Sequence, residues 1–294
     1  MLSADNMGRF LTIDAETFRT HFNRRPFLFR HRLAGHPFFS LSHLAELAQA
    51  LPPGIVEYNA GNIPVSLPDW ENTPYTGLSA EETVRRIEEC GSWIVLKRAE
   101  HDRGCRDVLD ACLDEIAPMS ERIEPGMCAR EAAVFVTSPG SVTPYHIDHE
   151  INFLIQIRGR KTIHVFSASD REVLSEEDLE KHFSGPAIHR NLPLAERHLG
   201  RAQIFELEQG YGLHIPTTDP HWVKNGDGVS ISFSAGFKTR ASLRRGKIYR
   251  LNDRLRKLGL RPSPYGRSAV RDALKHQLSR LLSRSEKWLQ TRPS

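Results

Sequence analysis

The chain has 294 residues, 39% of them hydrophobic and 26% charged, which is enough apolar material for a packed core and excludes global disorder. No run of about 18 apolar residues occurs, which argues against a membrane-spanning helix. The formal net charge of +4 is unevenly spread, because residues 238–294 hold 17 Lys and Arg against 3 acids, leaving a net −10 on the preceding 237 residues.

The stretch Met1–Asp14 lacks the apolar run of a secretory signal, so the protein is expected in the cytosol. Phe18–Asn23 reads as the end of a short helix, followed by an extended segment from Arg25 to Arg30 that Pro26 favours. Ser40 opens a helix that runs to Leu51 and stops at Pro52-Pro53-Gly54. Ile55–Asn59 reads as a strand, and residues 60–78, rich in Pro, Gly and Asn, as a long loop. Ser79 with Glu82 forms a capping box for a helix to about Cys90. A core strand over Trp93–Lys97 and a helix over Val108–Ile116 follow. Cys90, Cys105, Cys112 and Cys128 form no CxxC pair and read as reduced thiols.

The character changes at Ala132. Short β-type runs at Val134–Val136, Ile151–Ile157, Thr162–Phe166, Ala202–Leu207, Gly212–Ile215 and Val229–Ser234 predict a sandwich or barrel. Residues 170–198 form a polar insertion with some helix, in which His182, His189 and His198 are expected at the surface. Ser268–Gln290 is helical, with Val270, Leu274, Leu278, Leu281, Leu282, Trp288 and Leu289 on one stripe.

The chemistry is concentrated in Thr143-Pro144-Tyr145-His146-Ile147-Asp148. His146 and Asp148, read on a strand at i and i+2, share a face and can reach one metal ion. This is the one His-x-acid match among 14 histidines. Two imidazoles and one carboxylate suit Fe(II) and leave coordination positions open. The missing ligand is His214 or His221. The former sits in an apolar run, where a structural role is commoner; the latter follows the Pro216–Pro220 turn and opens a strand, which favours His221. Asn152 interrupts an apolar strand, and a buried amide must find partners. Lys161 opens the next strand; facing inward, the two could hold an acid co-substrate by charge and hydrogen bond. Tyr145 and Trp222 read as packing residues, and His149 and His164 as exposed or core-edge.

The blocks TPYHIDHEINFLIQIRGRKTIHVF and GYGLHIPTTDPHWVKNGDGVSISFS resemble the JmjC and cupin-like 2-oxoglutarate oxygenases. Their layout is nearest to the branch of the asparaginyl hydroxylase that restrains hypoxia-inducible factor. The resemblance is specific over Val134–Phe237 and looser through Phe18 and Arg25-Pro26-Phe27. It implies a mainly β protein with flanking helices, a double-stranded β-helix (jelly-roll) over residues 132–237. An α/β region over 1–131 would flank it, and a basic helical extension would occupy 238–294. It implies Fe(II) held by His146, Asp148 and His221, with O₂ as oxidant and 2-oxoglutarate as co-substrate, converted to succinate and CO₂. Lys161 and Thr143 would hold the distal carboxylate, and Asn152 would lie near its metal end. Ser234 stands where the family often has Asn, and Thr217-Thr218-Asp219-Pro220 stands in place of bulky aromatics. The expected activity is hydroxylation of a protein side chain, peptide or amino-acid-like small molecule.

Two other readings remain open at this point: a metal-dependent cupin enzyme that uses no 2-oxo acid, against which Lys161 and Asn152 argue, and a non-catalytic cupin-fold binding protein. The Arg-rich tail could meet nucleic acid or an acidic protein partner in the latter. The absence of interleaved aromatics favours instead a helix whose Leu stripe packs on the barrel or pairs across a homodimer.

Overall fold

The strands are β1 (Leu11–Thr12), β2 (Phe27–His31), β3 (Val56–Ala60), β4 (Ser92–Lys97), β5 (Cys128–Thr137) and β6 (Val142–His146) in the first half. The second half adds β7 (Ile151–Arg158), β8 (Arg160–Val165), β9 (Gln203–Glu208), β10 (Tyr211–Ile215), β11 (His221–Asn225) and β12 (Ser230–Lys238). Helices α1 (Ala15–His21), α2 (Leu41–Ala50), α3 (Ala80–Arg85) and α4 (Arg103–Ser120) precede the main run of strands. Helix α5 (Glu176–Ser184) lies in the insertion, and α6 (Arg240–Lys257) and α7 (Ala269–Gln290) close the chain. This computed structural model describes residues 9–52, 54–67, 73–184 and 191–290, with side chains of the last helix to Leu282. His189 and the side chains of Trp288 and Leu289 lie outside the described residues.

All pairings are antiparallel. They build an eight-stranded sheet in the order β1-β2-β10-β7-β12-β5-β4-β3 and a four-stranded sheet in the order β6-β11-β8-β9. This is the double-stranded β-helix expected from the sequence, and strands from the first 131 residues complete the larger sheet.

Alternation sorts the side chains of the larger sheet. Phe153, Ile155, Phe233 and Val134 join Phe18, Phe22, Leu44 and Leu113 in a core between that sheet and the helices. The Phe18 and Phe22 rings stack at 4.6 Å between centroids, and Phe153 and Phe237 lie alongside. Residues of opposite parity, Asn152, Leu154 and Ser234 among them, face a cleft shared with the smaller sheet. Trp93–Leu96 is buried as expected and divides in this way: Ile94 and Leu96 enter the helix-side core while Trp93 and Val95 line the cleft.

Helix α4 is longer than its apolar spacing predicts, because Asp102 caps it by accepting the Cys105 N–H at 2.9 Å. The capping box of Ser79 and Glu82 is present, but α3 ends at Arg85. His182 and His198 are buried, contrary to the surface expectation. Helix α5 packs on α6, where Arg256 Nε donates to buried Glu180 at 2.5 Å, and the His182 ring packs against His149 at 4.3 Å between centroids. The described part of the α7 stripe does not pack on the barrel. Asp272 and Ser279 are buried on the helix's inner face, whereas Val270, Leu274, Leu278 and Leu281 are exposed on the opposite one. No helix among the described residues is long and apolar enough to cross a membrane.

Candidate metal centre

Strand β6 forms one edge of the smaller sheet and pairs with β11 so that His146 lies opposite His221. Two residues on, Val223 pairs with Thr143, so three residue steps on β6 match two on β11. Such a bulge re-aims side chains beside functional sites. It brings both Thr143 and His146 to the cleft despite their opposite parity. Asp148 is not on the strand, as its spacing suggested, but two residues beyond the end of β6. Its backbone is held there by the Thr218 N–H, which donates to the Asp148 carbonyl at 3.1 Å.

The ligand-capable atoms of His146, Asp148 and His221 all lie within 4.8 Å of one another. His221 Nε2 is 3.7 Å from Asp148 Oδ2, and the two imidazole centroids are 4.2 Å apart. His146 Nδ1 lies 2.7 Å from the Pro144 carbonyl and His221 Nδ1 lies 3.0 Å from the Asp219 carbonyl. A carbonyl only accepts, so each Nδ1 carries its proton and the lone pair sits on Nε2. Fixing the tautomer through the far nitrogen is how metal-binding imidazoles are oriented. Two such imidazoles and one carboxylate on one side of a cleft fit a first-row divalent cation with open positions.

The other candidate, His214, is wholly buried among Phe22, Phe27 and Phe153. Its Nδ1–H donates to the Asn152 carbonyl at 3.1 Å, and its Nε2 accepts the Asn23 N–H at 2.9 Å. Burial pushes its pKa down to about 3, so it stays neutral with both nitrogens engaged and is structural.

Four further residues expected at the site, Thr143, Asn152, Lys161 and Ser234, line the same cleft, whose volume is about 150 Å³. Lys161 is only 5% exposed, and desolvation lowers its pKa to about 7. A buried ammonium facing a cleft is costly unless an anion joins it. Ser234 donates its hydroxyl to Asn152 Oδ1 at 2.8 Å, which turns the Asn152 amide nitrogen toward Asp148 Oδ2, 3.5 Å away.

Sequence reasoning missed the outer wall. Glu57 pairs with Lys97, and Lys238 pairs with Glu150 at 3.3 Å. Trp93, Glu131, Asn191 and Gly236 also line the cleft. Alternation along β4 and β5 was the available signal for Trp93, Lys97 and Glu131. Tyr145 is fully buried edge-on to Phe166, and Trp222 stacks on His164 at 3.9 Å, so both pack as expected. His149 is half-buried beside His182.

The fold and this cluster define a double-stranded β-helix protein with a His–Asp–His metal-binding arrangement. The chain belongs to the cupin-like domain family, whose model matches residues 78–241, more than half of its length. Among solved structures it is similar to the X-ray structure of Escherichia coli ycfD. That match has a TM-score of 0.54 at 17% identity, over 98% of this chain and 70% of the other. A second structure, described as the E. coli ribosomal oxygenase YcfD in complex with cobalt and 2-oxoglutarate, aligns with a TM-score of 0.48. Its identity is 16%, over 92% of this chain and 67% of that one. No curated protein matches the sequence.

Proposed function

We propose that the chain is an Fe(II)- and 2-oxoglutarate-dependent oxygenase of the JmjC type that hydroxylates a protein side chain, peptide or amino-acid-like small molecule. The observation that carries this reading is the convergence of His146, Asp148 and His221 with a buried lysine in one cleft. Binding by two imidazoles and a carboxylate alone would suit many cupins. A buried Lys161 in the same cleft adds a socket for an anion, which a 2-oxo dicarboxylate would fill. The layout shared with the asparaginyl hydroxylase branch supports the same assignment.

In this reading His146, Asp148 and His221 hold Fe(II), which supplies oxidative decarboxylation of 2-oxoglutarate by O₂ coupled to C–H hydroxylation. Lys161 neutralises the distal carboxylate, and Thr143 donates a hydrogen bond to it. Asn152, oriented by Ser234, presents its amide nitrogen beside Asp148, where the metal end of the co-substrate would lie. Leu154, Phe135 and Val223 give the cleft an apolar wall that excludes water. All seven residues fall within 132–237, which we assign as the catalytic barrel, flanked by 1–131 and extended by 238–294. The four unpaired cysteines fit a reducing compartment, the cytosol.

Anaerobic addition of Fe(II) and 2-oxoglutarate to the purified protein is expected to produce a visible charge-transfer band. Admission of O₂ should then yield slow succinate formation, and a succinate-coupled screen over amino acids, peptides and extract fractions would identify the substrate. Absence of both signals would transfer the site to a cupin without a 2-oxo acid or to a non-catalytic binding role.

The exposed stripe of α7 supports the pairing of two chains, because five large apolar side chains among its described residues are costly in water. Leu274→Glu with Leu278→Glu is expected to convert a dimer to a monomer in light scattering after size-exclusion chromatography. A wild-type chain already monomeric at tens of micromolar would end the dimer assignment.

A further inference from the structure

We propose that Asp219 is a positioning residue that holds His221 in its metal-binding orientation through a side-chain clamp onto the segment after β8. The inference rests on His221 being a metal ligand. Thr217-Thr218-Asp219-Pro220 stands where the resembled family carries bulky aromatics, and hydrogen bonds hold this turn.

The hydrogen bonds identify the replacement. Asp219 is buried, and its Oδ1 accepts the Ala168 N–H at 2.9 Å. The carbonyl of the same residue accepts His221 Nδ1–H at 3.0 Å. One residue therefore grips the neighbouring segment with its side chain and the imidazole with its backbone. Pro220 follows, which confines Asp219 to extended conformations and limits the directions its carbonyl can take. Its own carbonyl accepts the Phe166 N–H at 2.8 Å, a second tie to the end of β8.

The rest of the turn is held from other sides. Thr218 adopts φ +72°, an unfavourable conformation for a β-branched residue, while its N–H donates to the Asp148 carbonyl. The Thr217 N–H donates to Asn23 Oδ1 at 2.9 Å. The turn thus contacts the backbone of one ligand and the ring of another. Without the carboxyl group, the Ala168 N–H loses its acceptor and the Asp219 peptide can turn away from His221.

The test uses the full chain with Co(II) as probe, titrated anaerobically by visible absorption, with folding checked by circular dichroism. Asp219→Ala is expected to weaken Co(II) binding about 10- to 100-fold, the usual cost of losing an outer-shell partner. Asp219→Asn keeps an oxygen acceptor for Ala168 and is expected to stay within about 3-fold of wild type. Wild-type Co(II) affinity in a folded Asp219→Ala protein would overturn the proposal, as would an Asp219→Asn protein as weak as the alanine variant. Should Asp219→Ala fail to fold, Asp219→Ser takes its place with the same expectation. If both unfold, Asp219 holds the fold rather than the ligand, and the proposal fails. His221→Ala separates the two levels: unchanged Co(II) affinity and spectrum there would remove the ligand assignment itself.

Discussion

Asp148→Ala is expected to abolish the visible band formed with Fe(II) and 2-oxoglutarate and to weaken Co(II) binding by more than about 100-fold. That exceeds the roughly 10- to 100-fold cost of losing an outer-shell partner. Asp148 supplies the only negative charge in the donor set, and its Oδ2 lies 3.7 Å from His221 Nε2. Without it, two neutral imidazoles face a dication across a cleft whose nearest amide, Asn152, has lost its acceptor. Half-buried Asp148 contributes little to the core, so the variant should remain folded in the far-ultraviolet spectrum. A variant that still gives the band at wild-type intensity would place the metal elsewhere.

Lys161→Met is expected to separate co-substrate binding from metal binding. Breaking a buried ionic contact costs about 3–5 kcal/mol, which corresponds to a rise in the 2-oxoglutarate Kd of roughly 100- to 4000-fold. Co(II) affinity should change by less than about 3-fold, since Lys161 is not among the clustered donors. The pH dependence has a definite sign. Burial lowers the Lys161 pKa to about 7 in the ligand-free fold, below the ordinary lysine value of about 10.4. The unfolded chain therefore binds a proton that the folded one releases, and Lys161 lowers stability progressively as pH falls from about 10.4 to about 7. Lys161→Met removes that slope and should raise the thermal midpoint of the ligand-free protein near neutral pH. Wild-type 2-oxoglutarate binding should weaken about tenfold per pH unit above 7, with proton uptake, until the lysine pKa in the complex is reached. Calorimetry in two buffers of different ionisation enthalpy measures that uptake. A pH-independent affinity with no proton uptake would remove Lys161 from the co-substrate socket.

Much of the site was readable because its chemistry demands scarce residue types in a set order. A single His-x-acid pair, a polar break at Asn152 in an apolar strand and a histidine after a proline-bounded turn are visible without coordinates. Choosing His221 over His214 was also possible, since an imidazole within an apolar run is expected to be satisfied by backbone groups, as His214 is. The strands could be read for the same reason: alternation and turn residues are local properties.

Other features depend on which segments meet. The bulge that brings Thr143 and His146 to one cleft exists only in the pairing of β6 with β11, and no local pattern encodes it. Nor could periodicity tell which face of β4 meets the helices and which meets the cleft, because Trp93, Ile94, Val95 and Leu96 are all apolar. The polar insertion looked like surface, yet His182 is buried with its ring against His149, a residue 33 positions earlier in the chain. Residue chemistry along the chain therefore sets the clustered donors, the strands and the lysine that lines the cleft. Tertiary packing decides which donors converge, which wall they face and that the described part of the α7 stripe points outward, since each depends on contacts between segments distant in sequence.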